Sequence, residues 1–560
     1  MCNGAKKKNI PVGISDFQKI RERGYYYVDK SGLIVELLNG EPAEVTLITR
    51  PRRFGKTLAM GMLADFFDVR KDSGKLFSGL KIINNIQICD EWMNKYPVLF
   101  ISFKRVDGLN FNDAFCMLRS VIAEACAEHR YLLESNKPDP YDKSAIKNII
   151  DLKAGETELK NSLISLTRAM YTYYGKPVIL LIDEYDVPVA KAEENGYYAQ
   201  MLDLMKGMMQ ALKDNQSLCF SVVTGCLRIA KESIFTGTNN FVSDTIMDSR
   251  LNEYFGFTQN EVDKLMFDTG TTARADDMKA WYDGYRFGNI DIYCPWDVMN
   301  FVRDLLHDPT VKPESYWKNS SDNAIVRSFI ENSGSAVTSK LEELLAGGYV
   351  IQRIDKDLTY DYLHSSEDNL WSILYLTGYL TMADDSSVAE NVSDGCTALM
   401  IPNAEIRDIF ETTVMKWFAE SSVTWNRKAL FESVWSENCE ILTNEMTKLL
   451  RRTISYHDYR EDFYHAFLAG IFAGAGYRVE SNKEHGEGRS DVVVYDEINA
   501  RVAVFEAKYS QELNGLEAAC DAAVNQINNR LYAEEFQDDY DNVFCYGIAF
   551  YRKRCMVKEK

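Results

Sequence analysis

The run Arg50-Pro51-Arg52-Arg53-Phe54-Gly55-Lys56-Thr57 has the residue types of a phosphate-binding loop, with arginine where the first glycine is expected. An apolar strand, Val45 to Thr49, precedes it and an apolar helix from about Leu58 to Phe67 follows. That order converges backbone N–H groups and a helix N-terminus on an anion. In such a loop Lys56 reaches the outer phosphates and the Thr57 hydroxyl holds Mg²⁺, while Arg52, Arg53, Phe54 and Gly55 wrap the nucleotide.

A second element supports the first. Val178-Ile179-Leu180-Leu181-Ile182 ends in Asp183-Glu184, the pattern of a buried parallel strand with acids at its carboxyl end. Ligands of open α/β sheets bind at that edge. Asp183 is expected in the Mg²⁺ shell, and Glu184 is expected to orient or deprotonate an attacking water. A third strand, Leu218 to Val223, ends in Thr224-Gly225. Thr224 suits a sensor of the outer phosphate and Arg228 an internal arginine finger. A plain strand terminus followed by a surface arginine reads equally well there.

A different constellation lies near the C-terminus. Strand Arg501 to Lys508 carries Val502, Val504, Glu506 and Lys508 on one face, because alternate residues of a strand share a side. The neighbouring strand opens with Asp491 after Gly488-Arg489-Ser490. Asp491 and Glu506 form a pair of hard carboxylates suited to Mg²⁺ or Mn²⁺. A metal there would activate water for phosphodiester cleavage, with Lys508 orienting the nucleophile or neutralising charge. Weaker candidates around it are Glu461, Glu484, Gln526 and Arg530. A surface Glu–Lys pair on an edge strand is the structural alternative.

The elements that must hold these groups follow from the hydrophobic pattern. Apolar strands, Pro97 to Phe103 among them, alternate with helical segments through the first 240 residues, which argues a parallel three-layer sandwich. Residues 241–420 read as helical with short strands, a lid plus a winged-helix-like module. Within them Thr258 and Glu261 have capping-box spacing, and the aromatic run Trp281 to Gly288 is expected to pack a domain junction. Residues 421–560 return to a compact α/β pattern, with a closing helix expected from about Leu516 to Phe536.

Composition narrows the class. The 560 residues are 46% hydrophobic and 26% charged, ordinary globular material. No apolar stretch reaches the ~18 residues of a membrane span, and no apolar segment follows the basic start to make a secretory signal. The 12 cysteines are dispersed without metal-ribbon spacing. A cytoplasmic protein with reduced thiols and no membrane association is therefore expected. The net charge of -20 opposes wholesale attraction to nucleic acid, so any such contact needs a local basic surface.

Taken together, the chain resembles a bacterial family that joins an AAA-ATPase-like region to a C-terminal PD-(D/E)XK nuclease-superfamily domain. The resemblance rests on Gly13 to Phe17, Tyr26 to Lys30, Arg50 to Thr57, Asp183 to Asp186, Trp281 to Gly288, Tyr464-His465, Gly488 to Asp491 and Glu506 to Lys508. It implies an α/β fold: a P-loop sandwich, a helical and winged-helix-like middle, and a restriction-endonuclease-like end. It implies ATP with Mg²⁺ at Lys56 and Thr57, and a metal-dependent nuclease core at Asp491, Glu506 and Lys508. Asp29-Lys30 is implied to lie near the nucleotide. The expected partner is nucleic acid, DNA before RNA, and a homo-oligomer is compatible. The rival reading is a nucleotide-binding regulator whose nuclease-like domain is only a scaffold.

Overall fold

The computed structural model describes residues 9–39, 43–228, 241–317, 335–355, 367–384, 388, 395–414, 427–453, 461–475, 477–485, 488–530, 536 and 540–560. The chain divides into two compact units, Met1–Val414 and Met415–Lys560.

The first unit is built on a parallel sheet of β1 (Val45–Thr49), β2 (Val98–Ser102), β3 (Val178–Asp183), β4 (Leu218–Gly225) and β5 (Phe241–Asp244), in the order β2-β3-β4-β1-β5. β4 thus inserts between the strand that leads into the loop and the strand that ends in acids. Every residue of β1 and β3 is buried, as expected for strands covered on both faces. On one face Ile48, Ile179, Leu181 and Val222 pack with Leu63 and Phe66 of the helix Lys56–Phe67. Asn110 caps the long helix Phe111–Glu128 by accepting from Asp113 N, and Gly175 at φ +65° ends the helix Ser162–Tyr174.

Residues 241–414 belong to this same unit. The capping box at Thr258 and Glu261 opens the helix Gln259–Thr269. The aromatic run resolves into the end of a helix, Ala275–Tyr282, and a short hairpin of β6 (Tyr285–Phe287) and β7 (Ile290–Ile292). Tyr282, Tyr285 and Phe287 are buried, so they pack rather than wait for a base. Pro295 starts the helix Pro295–His307, as its fixed φ favours. An antiparallel sheet of β8 (Val350–Arg353), β9 (Thr381–Met382) and β10 (Cys396–Met400) accompanies the helices Glu367–Leu376 and Ala404–Ile409. Most of the polar stretch 384–394 lies outside the described residues.

The second unit carries a mixed sheet: β11 (Arg478–His485), β12 (Gly488–Asp496), β13 (Arg501–Tyr509), β14 (Asn542–Tyr551) and β15 (Arg554–Glu559), in sequence order. Only β13 and β14 pair in parallel, and the helix Leu516–Arg530 lies between them in the chain. Residues 531–535, where that helix was expected to continue, lie outside the described set. Gly547 allows the helix its close approach, since a Cβ there would meet Val524 N at 2.8 Å and Cys520 O at 2.9 Å. Side chains alternate across β13 as the sequence implies. Val502 and Val504 pack with Ile527, whereas Ala503, Phe505 and Ala507 pack with Leu468 and Phe472.

Candidate active sites

The loop after β1 turns through Arg53 at φ +73° and Gly55 at φ +85° before the helix begins at Lys56. Glycine meets that requirement at position 55 without Cβ strain; Arg53 does not, and its guanidinium is held 4.2 Å over the Trp296 ring. Arg50, in the place of the expected glycine, points away from the loop. It is fully buried, donates to Thr49 O (2.8 Å) and to Asp244 Oδ1 (2.5 Å), and sits over Phe255 and Phe287. Its fork fastens the end of β1 to edge strand β5. Phe54 is buried against Tyr285 and Phe287, with centroids 5.1 and 5.0 Å away.

Lys56 is 3% exposed and donates to Arg50 O (3.0 Å) and Pro51 O (3.1 Å), with Glu184 Oε1 at 3.6 Å. Burial opposes its charge, but Cys226, Glu184, Asp186 and Asp183 outweigh burial and hold its pKa above the ordinary lysine value. The ammonium stays charged and drawn against the loop it would serve.

Asp183 is the centre of a hydroxyl network. Thr57 Oγ1 (3.0 Å) and Ser102 Oγ (3.0 Å) donate to its Oδ2, and Thr224 Oγ1 (2.9 Å) to its Oδ1. Burial and the neighbouring Glu184 raise its pKa, while the three hydroxyls work the other way. Thr224 is fully buried in this network, so it stands behind Asp183. Glu184 adopts φ +54°, a left-handed conformation uncommon for non-glycine residues. Asp186 accepts from Cys226 N and Leu227 N, both at 2.9 Å, and burial together with Glu184 pushes it up to about 6. Gly225 is required beside it, because a Cβ would lie 2.7 Å from Asp186 Oδ1 and from the Tyr185 ring.

These groups open onto a cavity of about 450 Å³, within the range of small-molecule sites. Arg52 through Thr57 and Glu184 line one end, while Val12, Ile14, Tyr27, Phe257, Trp296 and Met299 give it an apolar wall. The structure therefore brings the loop, Glu184 and, through Thr57, Asp183 together. Arg228 does not line the cavity; its guanidinium lies 5.7 Å over Phe241. Lys30 lines the cavity and is bonded to Glu261 Oε2 and Glu253 O, both at 2.6 Å. Asp29 instead accepts from Ser31 N and Lys81 N. Ser102 and Asp244 were missed because a lone polar residue at a strand end carries no pattern, and Asp186 was noted only within the run Asp183 to Asp186, without a role. Only their partners reveal them.

In the second unit Asp491 and Glu506 lie one step beyond the last β12–β13 pair, Val492 with Phe505. There the Asp491 side chain takes over the ladder, its Oδ2 accepting from Ala507 N at 2.8 Å. Glu506 is fully buried, and Lys508 Nζ donates to its Oε1 at 2.9 Å. His465, from the helix Glu461–Gly474, places Nε2 3.3 Å from Asp491 Oδ2. The sequence flagged Tyr464-His465 without assigning it a role. Two hard carboxylates fit a Mg²⁺ or Mn²⁺ ion that keeps most of its water. Among the described residues, however, no three His, Cys, Asp or Glu side chains converge as a metal-holding group. The side chains of Glu461, Glu484 and Arg530 lie outside the described set, and Gln526 is partly buried on the helix Leu516–Arg530.

No helix among the described residues is long and apolar enough to cross a membrane. Comparison with known proteins agrees with the two-part geometry. Residues 11–235 match the family described as predicted AAA-ATPase, and residues 459–560 match the PD-(D/E)XK nuclease superfamily. A protein of Azotobacter chroococcum mcd 1, described as an uncharacterized protein in the vnfD 5' region, is 25% identical over 558 residues, covering 98% of this chain and 97% of that protein. Matches to an AAA-ATPase-like family and to the nuclease superfamily thus fall on one chain, and the match to the relative runs across both.

Proposed function

We propose that the first unit binds and hydrolyses ATP, and that its nucleotide state governs a metal-dependent nuclease in the second unit. The observation that carries the nucleotide reading is the cavity itself. Lys56, Thr57 and Glu184 share a basin whose described lining holds six cationic side chains against a single carboxylate, a field suited to a triphosphate. Its apolar wall suits a base. Lys56 draws on the outer phosphates, and Glu184 orients the attacking water and takes its proton. Thr57 and Asp183, already hydrogen-bonded, would hold Mg²⁺, which supplies charge neutralisation on the phosphates.

Support for the nuclease reading is the juxtaposition of Asp491, Glu506 and Lys508 where β12 and β13 stop pairing. Asp491 and Glu506 would hold Mg²⁺ or Mn²⁺, which supplies a Lewis acid and an activated water. Lys508 neutralises charge developing on the scissile phosphate. The substrate class is DNA or RNA phosphodiester. The scaffold reading draws on one observation, the complete burial of Glu506, since a ligand carboxylate must reach its metal. Purified full-length protein with ATP and Mg²⁺ or Mn²⁺, scored for phosphate release and for nicking of DNA and RNA, decides between them. Phosphate release without nicking under any nucleotide condition leaves the scaffold reading standing.

A further inference from the structure

We infer that Lys104 is the chain's own charge-neutralising cation for the terminal phosphate, acting from within the same molecule. The inference rests on the nucleotide reading above and adds a residue to it. Phosphoryl transfer gathers charge on the terminal oxygens, and enzymes of this kind bring a further cation to them beside the loop lysine. Arg228, the sequence candidate, stands over Phe241 away from the cavity lining.

Of the other five cations lining the cavity, four are held by other groups. Lys30 is bonded to Glu261 and Glu253, Lys56 to the loop carbonyls, and Lys191 to Glu194 at 2.9 Å. Arg53 is stacked on Trp296, and Arg52 belongs to the loop itself.

Lys104 comes from a different strand and from the correct side. β2 and β3 run in parallel, with Ser102 level with Asp183, and Phe103 N continues the ladder to Asp183 O at 2.9 Å. Ser102 points its hydroxyl at Asp183. Two residues on, Lys104 begins the turn that follows β2, just past the level of Glu184. It is exposed and lines the cavity together with Thr57 and Glu184. Its neighbour Arg105 is engaged elsewhere, with Glu124. Water attacks the terminal phosphorus, and its proton passes to Glu184. The bond to the bridging oxygen breaks, and the nucleoside diphosphate leaves with that electron pair. Lys104 neutralises the terminal oxygens and keeps its own protons.

The test uses the full-length chain with Mg²⁺-ATP, comparing native protein with Lys104→Ala and Lys104→Arg. Lys104→Ala is expected to bind nucleotide within about threefold of native while kcat falls on the order of 10³-fold, at the lower end of what such a cation contributes. Lys104→Arg restores most of kcat. Adding Lys56→Ala protein, which keeps Lys104 but lacks the loop lysine, does not rescue Lys104→Ala. Rescue in that mixture, or an unchanged kcat in Lys104→Ala, overturns the inference and leaves the nucleotide reading intact. A native chain that neither binds nor hydrolyses any nucleoside triphosphate overturns the reading beneath it.

Discussion

Each unit sets a lysine beside carboxylates at the end of an apolar strand, yet the two sites are held in opposite ways. Lys56 is gripped by backbone carbonyls and Asp183 by three hydroxyls, so cation and acid are positioned by different partners. In the second unit Lys508 and Glu506 hold each other, and Asp491 spends an oxygen on the Ala507 N–H. The first arrangement is held mainly by neutral partners, with the one ion contact, Lys56 to Glu184, looser at 3.6 Å. The second must exchange an internal ion pair for a metal and a phosphate. Neutral donors around a catalytic acid leave its charge available, whereas a direct ion pair makes the acid and the base each other's competitor.

The largest effect should come from Lys56→Ala, which removes the cation from a charge-dependent transition state. ATP hydrolysis by the full chain is expected to fall on the order of 10³-fold or more, measured by phosphate release. Unchanged hydrolysis would mean the gripped lysine is only a loop fastener. Next, Glu506→Gln keeps the volume but removes a metal-binding charge. Metal-dependent cleavage should drop by about 10²- to 10³-fold while ATP turnover persists, which separates the two units by function.

Arg50→Met tests the fastening rather than the chemistry. It leaves Asp244 buried without its close partner, so urea unfolding of the first unit should show a loss of about 3–5 kcal/mol. Arg50→Lys should recover little of that, because lysine lacks the guanidinium fork. Thr224→Val removes one of three hydroxyls from Asp183 and should cost about 1–3 kcal/mol, with a smaller loss of hydrolysis than Lys56→Ala.

The smallest effect concerns pH. Asp186 is raised to about 6 in the folded protein, against an ordinary aspartate near 3.8 when unfolded. The folded state therefore binds more protons than the unfolded one between those values. Its contribution favours folding below about 4 and is lost as pH rises through about 6. Asp186→Asn should flatten that part of the stability profile, read from denaturant midpoints between pH 4 and 7.

Some of this was legible from the chain. The continuous apolar runs ending at Thr49 and Asp183 gave the buried parallel strands, because only strands covered on both faces read that way. The capping box at Thr258 and the alternation along Val502 to Lys508 followed from local geometry alone. Arg50 was different. As a sequence position it is only an arginine where a glycine is expected, and its partner, Asp244, lies 194 residues away. The place of Thr224 behind Asp183, and that of Arg228 over Phe241, likewise depended on strand order.

Residue types and spacing alone marked the chemistry: a lysine and threonine after a glycine, acids closing an apolar strand, and a carboxylate pair with a lysine. Residue type and period are local properties, and local sterics and burial are enough to express them. Which of these groups meet was settled by strand order. β4 had to enter between β1 and β3 to bring Thr224 to Asp183, β2 had to lie beside β3 to carry Lys104 past Glu184, and β12 had to part from β13 at Asp491. Those neighbours are set by which strands share a core, and contacts of that kind join residues whose separation along the chain carries no periodic signal.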